Sequence, residues 1–425
     1  MFDERITSPM KYAVYTLGCK VNQYETQAIE TMLRERGLEP TEENADVIIV
    51  NTCAVTAESG RKSRQAIRRL MARHPGALTA VCGCFSQLEP EAVRGLGADI
   101  VFGSGEKERL VDAVIAELPA MVIDDPFKRR YFEELPAGAV SGRTRAMLKL
   151  QDGCDNFCTY CVIPYTRGRV RSLPLGACAR QAAELAAGGF AEIVVTGIEI
   201  ASYGKDLPGK PDLADAVEAI AKAAPDVRIH LGSLEPTVVT EAFCERLAAL
   251  GNICPHFHLS LQSGCDDTLR RMHRKYDTAR FFSCCEDLRR AFPGCSLTAD
   301  LICGFPGETE EDFAETLAFI ERCGFFFVHA FPYSSRPGTK AAEMPDQLPR
   351  AEKEDRVRRA GEVIRRMQHT YLLTCVGKTL PVLFERPRKG HADNYCVVKT
   401  DAAYERGTVQ NIQIYGTEGE MLLGK

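Results

Sequence analysis

The 425-residue sequence predicts an α/β chain in three parts: an N-terminal parallel α/β domain, a central (β/α)6-type partial barrel and a small C-terminal antiparallel β-barrel. Three observations predict it. Short apolar runs alternate with amphipathic helical stretches over residues 11–116, and after a break the alternation resumes from residue 146. Beyond a charged helical stretch at 351–374 the pattern changes to short β-like runs parted by turn residues. A chain this long holds two or three domains, and its apolar fraction of 45% is ample for packed cores.

In the first part, residues 12–16, 46–51, 77–81 and 99–101 read as strands, with amphipathic helices over 25–36 and 61–73. Residues 119–145, with Pro126, Pro136, Gly138 and Gly142, read as a connector. In the second part the strands are 147–150, 192–196, 228–231, 257–261, 296–302 and 326–331, with helices such as 310–323 between them. Six βα units make a parallel barrel whose chemistry sits at the C-terminal ends of its strands. The last part offers strands at 379–384, 395–399 and 409–415, enough for a small barrel of the kind that often binds nucleic acid, or for a structural cap. The domain bounds read as 10–120, 140–370 and 371–425.

Composition narrows the class. No apolar run reaches the roughly 18 residues of a membrane span, and residues 1–8 carry Asp3 and Glu4 with no apolar core of a secretory signal, so a cytoplasmic protein is expected. A formal charge of −5 gives no global case for nucleic acid. Local runs differ: Arg61-Lys62-Ser63-Arg64 to Arg68-Arg69, Arg167-Gly168-Arg169-Val170-Arg171, Arg270-Arg271-Met272-His273-Arg274-Lys275 and Arg386-Pro387-Arg388-Lys389 permit a polyanionic partner. Eighteen cysteines in a chain of this length do not describe a disulfide scaffold, which is small and secreted. Clustered cysteines then mean metal, and scattered ones, such as Cys284 and Cys285, mean small buried residues.

Cys154, Cys158 and Cys161 follow the first barrel strand in the spacing CxxxCxxC. Three thiolates so spaced wrap one loop around a cubane iron–sulfur cluster and leave its fourth iron open for a substrate. Structural zinc fits less well, because no Cys or His follows closely before Cys178. Cys19, Cys53 and Cys84 each stand at the end of an expected strand. Strand ends of one parallel sheet share an edge, so these three can converge there. Cys82 is an alternative third member, but Cys84 is preferred because it follows Gly83 beyond the strand.

The triad, with aromatic Tyr160 before its last cysteine, resembles the radical S-adenosylmethionine superfamily. Two cysteine sets, a barrel and a small β-domain are together similar to the methylthiotransferases of that superfamily. The matching pieces run from Thr16-Leu17-Gly18-Cys19-Lys20-Val21-Asn22-Gln23-Tyr24-Glu25-Thr26 through Asn51-Thr52-Cys53, Gly83-Cys84-Phe85-Ser86-Gln87 and Gln151-Asp152-Gly153-Cys154. They continue with Leu261-Gln262-Ser263-Gly264, Arg271-Met272, Arg274-Lys275-Tyr276, Gly304-Phe305-Pro306-Gly307-Glu308-Thr309 and Phe331-Pro332-Tyr333-Ser334. The C-terminal part looks like a TRAM domain.

The resemblance implies two 4Fe–4S clusters and S-adenosylmethionine. The cluster on Cys154, Cys158 and Cys161 would cleave the sulfonium to a 5′-deoxyadenosyl radical, and the cluster on Cys19, Cys53 and Cys84 would carry the sulfur to be inserted and methylated. A C–H bond that no side chain can ionise would become C–S–CH3. Tyr160, Glu199, Ser233, Glu235, Gln262 and Ser263 are the expected cofactor-binding residues, although the family more often shows another polar residue at Glu199. The Gly304–Glu308 stretch is not a phosphate loop, since no Lys-Ser/Thr follows Gly307, and reads as a tight turn shaping the pocket. Residues 18–26, 51–56 and 61–65 resemble the branch that acts on N6-threonylcarbamoyladenosine at position 37 of tRNA. The implied partners are the tRNA anticodon arm, with Arg386, Arg388 and Lys389 on its phosphates, and a reductant such as flavodoxin or ferredoxin. Competing readings are the same chemistry on isopentenylated adenosine 37 or on a ribosomal-protein aspartate, and, from another class, a non-catalytic two-cluster electron carrier or RNA-binding scaffold.

Overall fold

A computed structural model describes residues 9–137 and 144–425; Gly138, Gly142 and the 1–8 stretch, on which part of the sequence reading rests, lie outside the described residues. The chain divides into two compact units. One takes residues 9–137 with Gly153–Asp155 and Val162–Arg169; the other takes 144–152, Asn156–Cys161 and Val170–Lys425.

The first unit is a parallel sheet of β1 (Lys11–Thr16), β2 (Glu39–Pro40), β3 (Val47–Thr52), β4 (Leu78–Gly83), β5 (Ile100–Phe102) and β6 (Ala120–Val122), in the order β2-β1-β3-β4-β5-β6. Every residue of β3 is buried, as a central strand covered on both faces requires. Helices α1 (Lys20–Glu35), α2 (Ala57–Arg73) and α3 (Cys84–Leu88) start at the strand ends. Helix α1 begins five residues before the expected 25–36. Its first turn looks polar in sequence, but Asn22 and Glu25 face inward and are buried there. The expected connector contains β6, too short and too exposed to show a strand pattern.

The second unit carries β7 (Arg145–Asp152), β8 (Arg171–Ser172), β9 (Glu192–Gly197), β10 (Arg228–Leu231), β11 (His256–Gln262), β12 (Ser296–Cys303) and β13 (Phe327–Pro332). Apart from the short antiparallel β8, these form a partial barrel in the order β7-β9-β10-β11-β12-β13, continuous through single parallel bridges Ile229↔Ile253 and Leu234↔Leu259. The 26-residue helix Arg350–Cys375 leads into a closed barrel of β14 (Thr379–Arg386), β15 (Lys389–Ala392), β16 (Val397–Thr400), β17 (Val409–Glu418) and β18 (Met421–Gly424). It is antiparallel except for β16 and β18, which pair in parallel to close it. Sequence missed β15, because Lys389-Gly390-His391-Ala392 has no β-branched residue, and β18, because it is only four residues long.

Candidate functional site

Gly18 and Gly83 bring the first cysteine set together. Gly18 adopts φ 114°, and a Cβ there would stand 2.9 Å from the Cys53 Cβ; Gly83 adopts φ 106°, and a Cβ would stand 2.4 Å from the Thr52 carbonyl oxygen. Both contacts are too close for any residue but glycine. The loops bearing Cys19 and Cys84 therefore close onto the strand end bearing Cys53. Cys53 and Cys84 are buried and Cys19 is exposed. Burial, and then the neighbouring Cys84 and Cys19 thiols, push the Cys53 thiol up to about 11. Cys82 lies within β4 and is surrounded by the charges of Lys107, Glu25 and Glu133 instead, while Cys84 is the thiol that neighbours both Cys19 and Cys53.

A buried polar network holds these loops. Asn22 Nδ2 donates to the Leu17 carbonyl (3.0 Å), the Thr52 carbonyl (2.9 Å) and Asn51 Oδ1 (3.2 Å), while Asn51 Nδ2 donates back to the Asn22 carbonyl at 3.0 Å. The Cys19 thiol donates to Asn22 Oδ1 at 3.4 Å, and Arg167 reaches the same oxygen at 3.2 Å. Arg167 also makes a two-pronged contact with Glu25, at 2.6 and 3.2 Å, and Lys107 stands 4.0 Å from Glu25. Ser63 of α2 donates to the Cys53 carbonyl at 3.1 Å. Sequence reading quoted Asn22, Glu25 and Arg167 only inside motifs. Their meeting links positions more than 140 residues apart, which no local pattern reveals.

In the second unit, Cys158 is the centre of a different environment. Arg274 donates to the Cys158 sulfur at 3.1 Å and to the Tyr276 hydroxyl at 3.0 Å, and lies 3.6 Å from Glu235. Asn156 Nδ2 lies 3.3 Å from Glu199 and 3.4 Å from Glu235, while its Oδ1 accepts from Lys275 at 2.8 Å. Gln151 Oε1 accepts the backbone N–H groups of Ile198 and Glu199 and so fixes the loop that presents Glu199. Burial, and then the facing Glu235, push Glu199 up to about 7. A buried carboxylate (Glu235), a half-buried one (Glu199), an amide and two cations thus converge within the barrel, a set suited to a ligand bearing both an ammonium and a carboxylate.

The other expected residues divide. Tyr160 packs edge-on against Phe305 at 6.4 Å, in an apolar cluster with Met272 and Tyr333. Gln262 ends β11 with φ 69°, a conformation that turns the chain sharply there. Ser233 is exposed. Ser263 is buried with its hydroxyl 3.3 Å from that of Thr316, on the helix Glu310–Cys323. The Gly304–Glu308 turn is filled from within: Glu308 accepts the Gly304 N–H at 3.1 Å and pairs with buried Arg356 at 2.6 Å. Arg386, Arg388 and Lys389 are exposed around the β14–β15 turn and line a hollow with Pro387, Lys399 and Met421.

Among the described residues only Glu192, His230 and Cys254 place three ligand atoms within 4.8 Å of one another. Arg228 pairs with that Glu192 at 2.5 Å and Arg145 at 3.5 Å, so it is an ion-pair site rather than a cation site. Cys19, Cys53 and Cys84 stand wider apart than that. Thiolates on one zinc would sit roughly 3.8 Å apart, given Zn–S of about 2.3 Å. As a donor set, three cysteine sulfurs suit an iron–sulfur cluster.

Comparisons with known proteins bear on both regions. Residues 11–103 match the uncharacterized protein family UPF0004, and residues 148–320 match the radical SAM superfamily. The chain is 38% identical over 91% of its length to a threonylcarbamoyladenosine tRNA methylthiotransferase MtaB of Bacillus subtilis, 89% of which is covered. It is 36% identical over 83% of its length to a tRNA-2-methylthio-N(6)-dimethylallyladenosine synthase of Syntrophomonas wolfei, 81% of which is covered. Among solved structures, the radical S-adenosylmethionine methyltransferase TsrM of Kitasatospora setae, with cobalamin and a 4Fe–4S cluster bound, aligns with a TM-score of 0.57 at 15% identity, over 79% of this chain and 77% of that one. That last likeness is one of fold.

Proposed function

Because the chain belongs to the radical S-adenosylmethionine methylthiotransferase family, we propose that it replaces the C2 hydrogen of N6-threonylcarbamoyladenosine 37 in tRNA by a methylthio group. The observation that carries this reading is the convergence of Cys19, Cys53 and Cys84 at one sheet edge, separate in sequence from the Cys154, Cys158 and Cys161 loop. A single triad serves radical formation alone; a second set is what sulfur insertion adds. When bound, two 4Fe–4S clusters and S-adenosylmethionine supply the one-electron cleavage of the sulfonium, the sulfur and the methyl group.

The six cysteines would hold the clusters. Arg274 places a permanent cation on the Cys158 sulfur and is itself balanced by Glu235. Glu199 and Glu235 would accept the ammonium or ribose of the cofactor, with Asn156, steadied by Lys275, between them. Residues 10–120 would house the sulfur-carrying site, 140–370 the radical site and 371–425 an RNA-binding barrel. The substrate branch is supported by residues 18–26 and by the relatives at 38% identity. Adenosine 37 lies in a loop, where a base is turned out at modest cost. The protein would work in the cytoplasm and draw electrons from flavodoxin or ferredoxin.

Mass spectrometry of tRNA nucleosides from a deletion strain tests the substrate. Loss of 2-methylthio-N6-threonylcarbamoyladenosine with retention of its unthiolated precursor is expected. An unchanged level rejects the reading, and loss of the isopentenylated product instead would move the chain to the other tRNA branch. A protein that makes no 5′-deoxyadenosine under reductant would be a carrier, not this enzyme.

A further inference from the structure

We infer that the outward face of α2 is a second binding surface for the phosphodiester backbone of the substrate tRNA, additional to the C-terminal barrel; this rests on the tRNA reading above. The helix carries Arg61, Lys62, Arg64, Arg68, Arg69 and Arg73 against one acid, Glu58, in a chain whose net charge is −5. Arg64 is half-buried and the other five are exposed. Glu58 pairs with Arg61 and stands 4.0 Å from Lys62, and Glu89 stands 3.8 Å from Arg64. Among the described residues no carboxylate forms an ion pair with Arg68, Arg69 or Arg73, although Arg69 lies over the Tyr15 ring at 4.9 Å.

The arrangement works against the helix itself. Arg64 and Arg68, and Arg69 and Arg73, are like charges at i,i+4, a spacing that destabilises a helix. Arg64 and Arg69 are offset in part by the Phe85 and Tyr15 rings they cover, whereas Arg68 has no ion pair or ring contact of that kind among the described residues. The inward face is secured independently, by a capping box between Thr56 and Ser59 and by buried Ala66, Ile67 and Leu70. The cations from Arg61 to Arg73 extend over roughly 18 Å of helix, long enough to follow several phosphates of one strand.

Chemistry distinguishes the occupant. Five of the six cations are arginines, whose planar fork matches phosphate oxygens two at a time. Between them the exposed positions are Gln65 and Ala72, with no aromatic or large aliphatic side chain to anchor a protein interface. An acidic electron-donor protein is therefore the poorer fit. The helix also starts four residues beyond Cys53, with Ser63 bonded to the Cys53 carbonyl. RNA gripped along α2 would thus be registered against the strand end that bears the candidate sulfur site.

The test uses the full chain and a full-length tRNA carrying N6-threonylcarbamoyladenosine at position 37. Affinity is measured across a series of salt concentrations for the wild type, the triple variant Arg68→Gln, Arg69→Gln, Arg73→Gln, and the triple Arg→Lys variant at the same positions. The wild type should bind with a steep salt dependence. The glutamine variant should bind roughly tenfold more weakly near physiological salt, with a log–log slope reduced by about 2. The lysine variant should keep most of the slope, which separates charge from shape. A glutamine variant equal to the wild type overturns the α2 surface while leaving the tRNA reading intact, and a lysine variant as weak as the glutamine one overturns the phosphate assignment. A wild type without salt-dependent tRNA binding overturns both. Unchanged tRNA affinity with slower reduction by flavodoxin would assign the face to an acidic protein and overturn this inference.

Discussion

Cys19, Cys53 and Cys84 come from the ends of three strands, whereas Cys154, Cys158 and Cys161 fall within one short loop after β7. The first set exists only once β1, β3 and β4 are paired, and glycines without room for a Cβ plus the Asn22–Asn51 exchange hold it closed. The second set needs only its loop; what makes it specific is the Arg274, Glu235, Glu199 and Asn156 group around Cys158. The cations differ in the same sense. Arg167 is joined to Cys19 by hydrogen bonds through Asn22, while Arg274 touches the Cys158 sulfur directly. One site is positioned by the fold and the other by its immediate partners, so they should fail in different ways.

The largest expected effect is on metal content. Cys53→Ala and Cys158→Ala should each lower reconstituted iron by about four of about eight atoms per chain, and only Cys158→Ala should abolish 5′-deoxyadenosine formation. Equal loss of 5′-deoxyadenosine in both would erase the distinction between the sites. Next comes removal of the buried cations. Arg167→Leu removes the two-pronged partner of buried Glu25 and should cost about 3–5 kcal/mol of stability, read from denaturant unfolding monitored in the first unit. Arg274→Leu should cost a similar amount in principle, but its further signature is weaker S-adenosylmethionine binding, which Arg167→Leu should not share. If both variants lose cofactor affinity equally, the direct and indirect roles assigned to the two arginines are wrong.

A smaller effect follows from Glu199. Its carboxyl ionises near pH 7 in the free protein, so the anion that attracts an ammonium is scarce below that pH and complete above it. Cofactor affinity should therefore rise between about pH 6 and 8, by at most roughly tenfold per pH unit, and Glu199→Gln should flatten the profile. A profile unchanged by that substitution would take Glu199 out of the pocket. The smallest effect concerns Arg388 and Lys389. Their joint replacement by Gln should weaken tRNA binding a few-fold and lower the salt slope by roughly 1–2; equal affinity and slope would deny them a place on the phosphates.

Sequence legibility follows the same division. Barrel strands such as β10 (Arg228–Leu231) and the helix Glu310–Cys323 stand where their periodicity places them, because long apolar patterns are local. The spacing of Cys154, Cys158 and Cys161 is likewise readable in eight residues. Choosing Cys84 over Cys82 needed only the judgement that a strand ends at Gly83. Asn156, Arg274 and Lys275 were not legible as a group, since Arg274 meets Cys158 across 116 positions and Lys275 meets Asn156 across 119. The contact between the Ser263 and Thr316 hydroxyls was equally hidden, since it spans 53 positions. Arg167 sat in a basic run that reads as open to a polyanionic partner, and it is fully buried.

The claim that the two cysteine sets have different tasks is tested most directly by assaying both products of one variant. Reconstituted Cys53→Ala, given S-adenosylmethionine, reductant and tRNA bearing N6-threonylcarbamoyladenosine 37, should form 5′-deoxyadenosine at a rate comparable to the wild type and no 2-methylthio nucleoside. Methylthiolated tRNA from that variant would contradict the account.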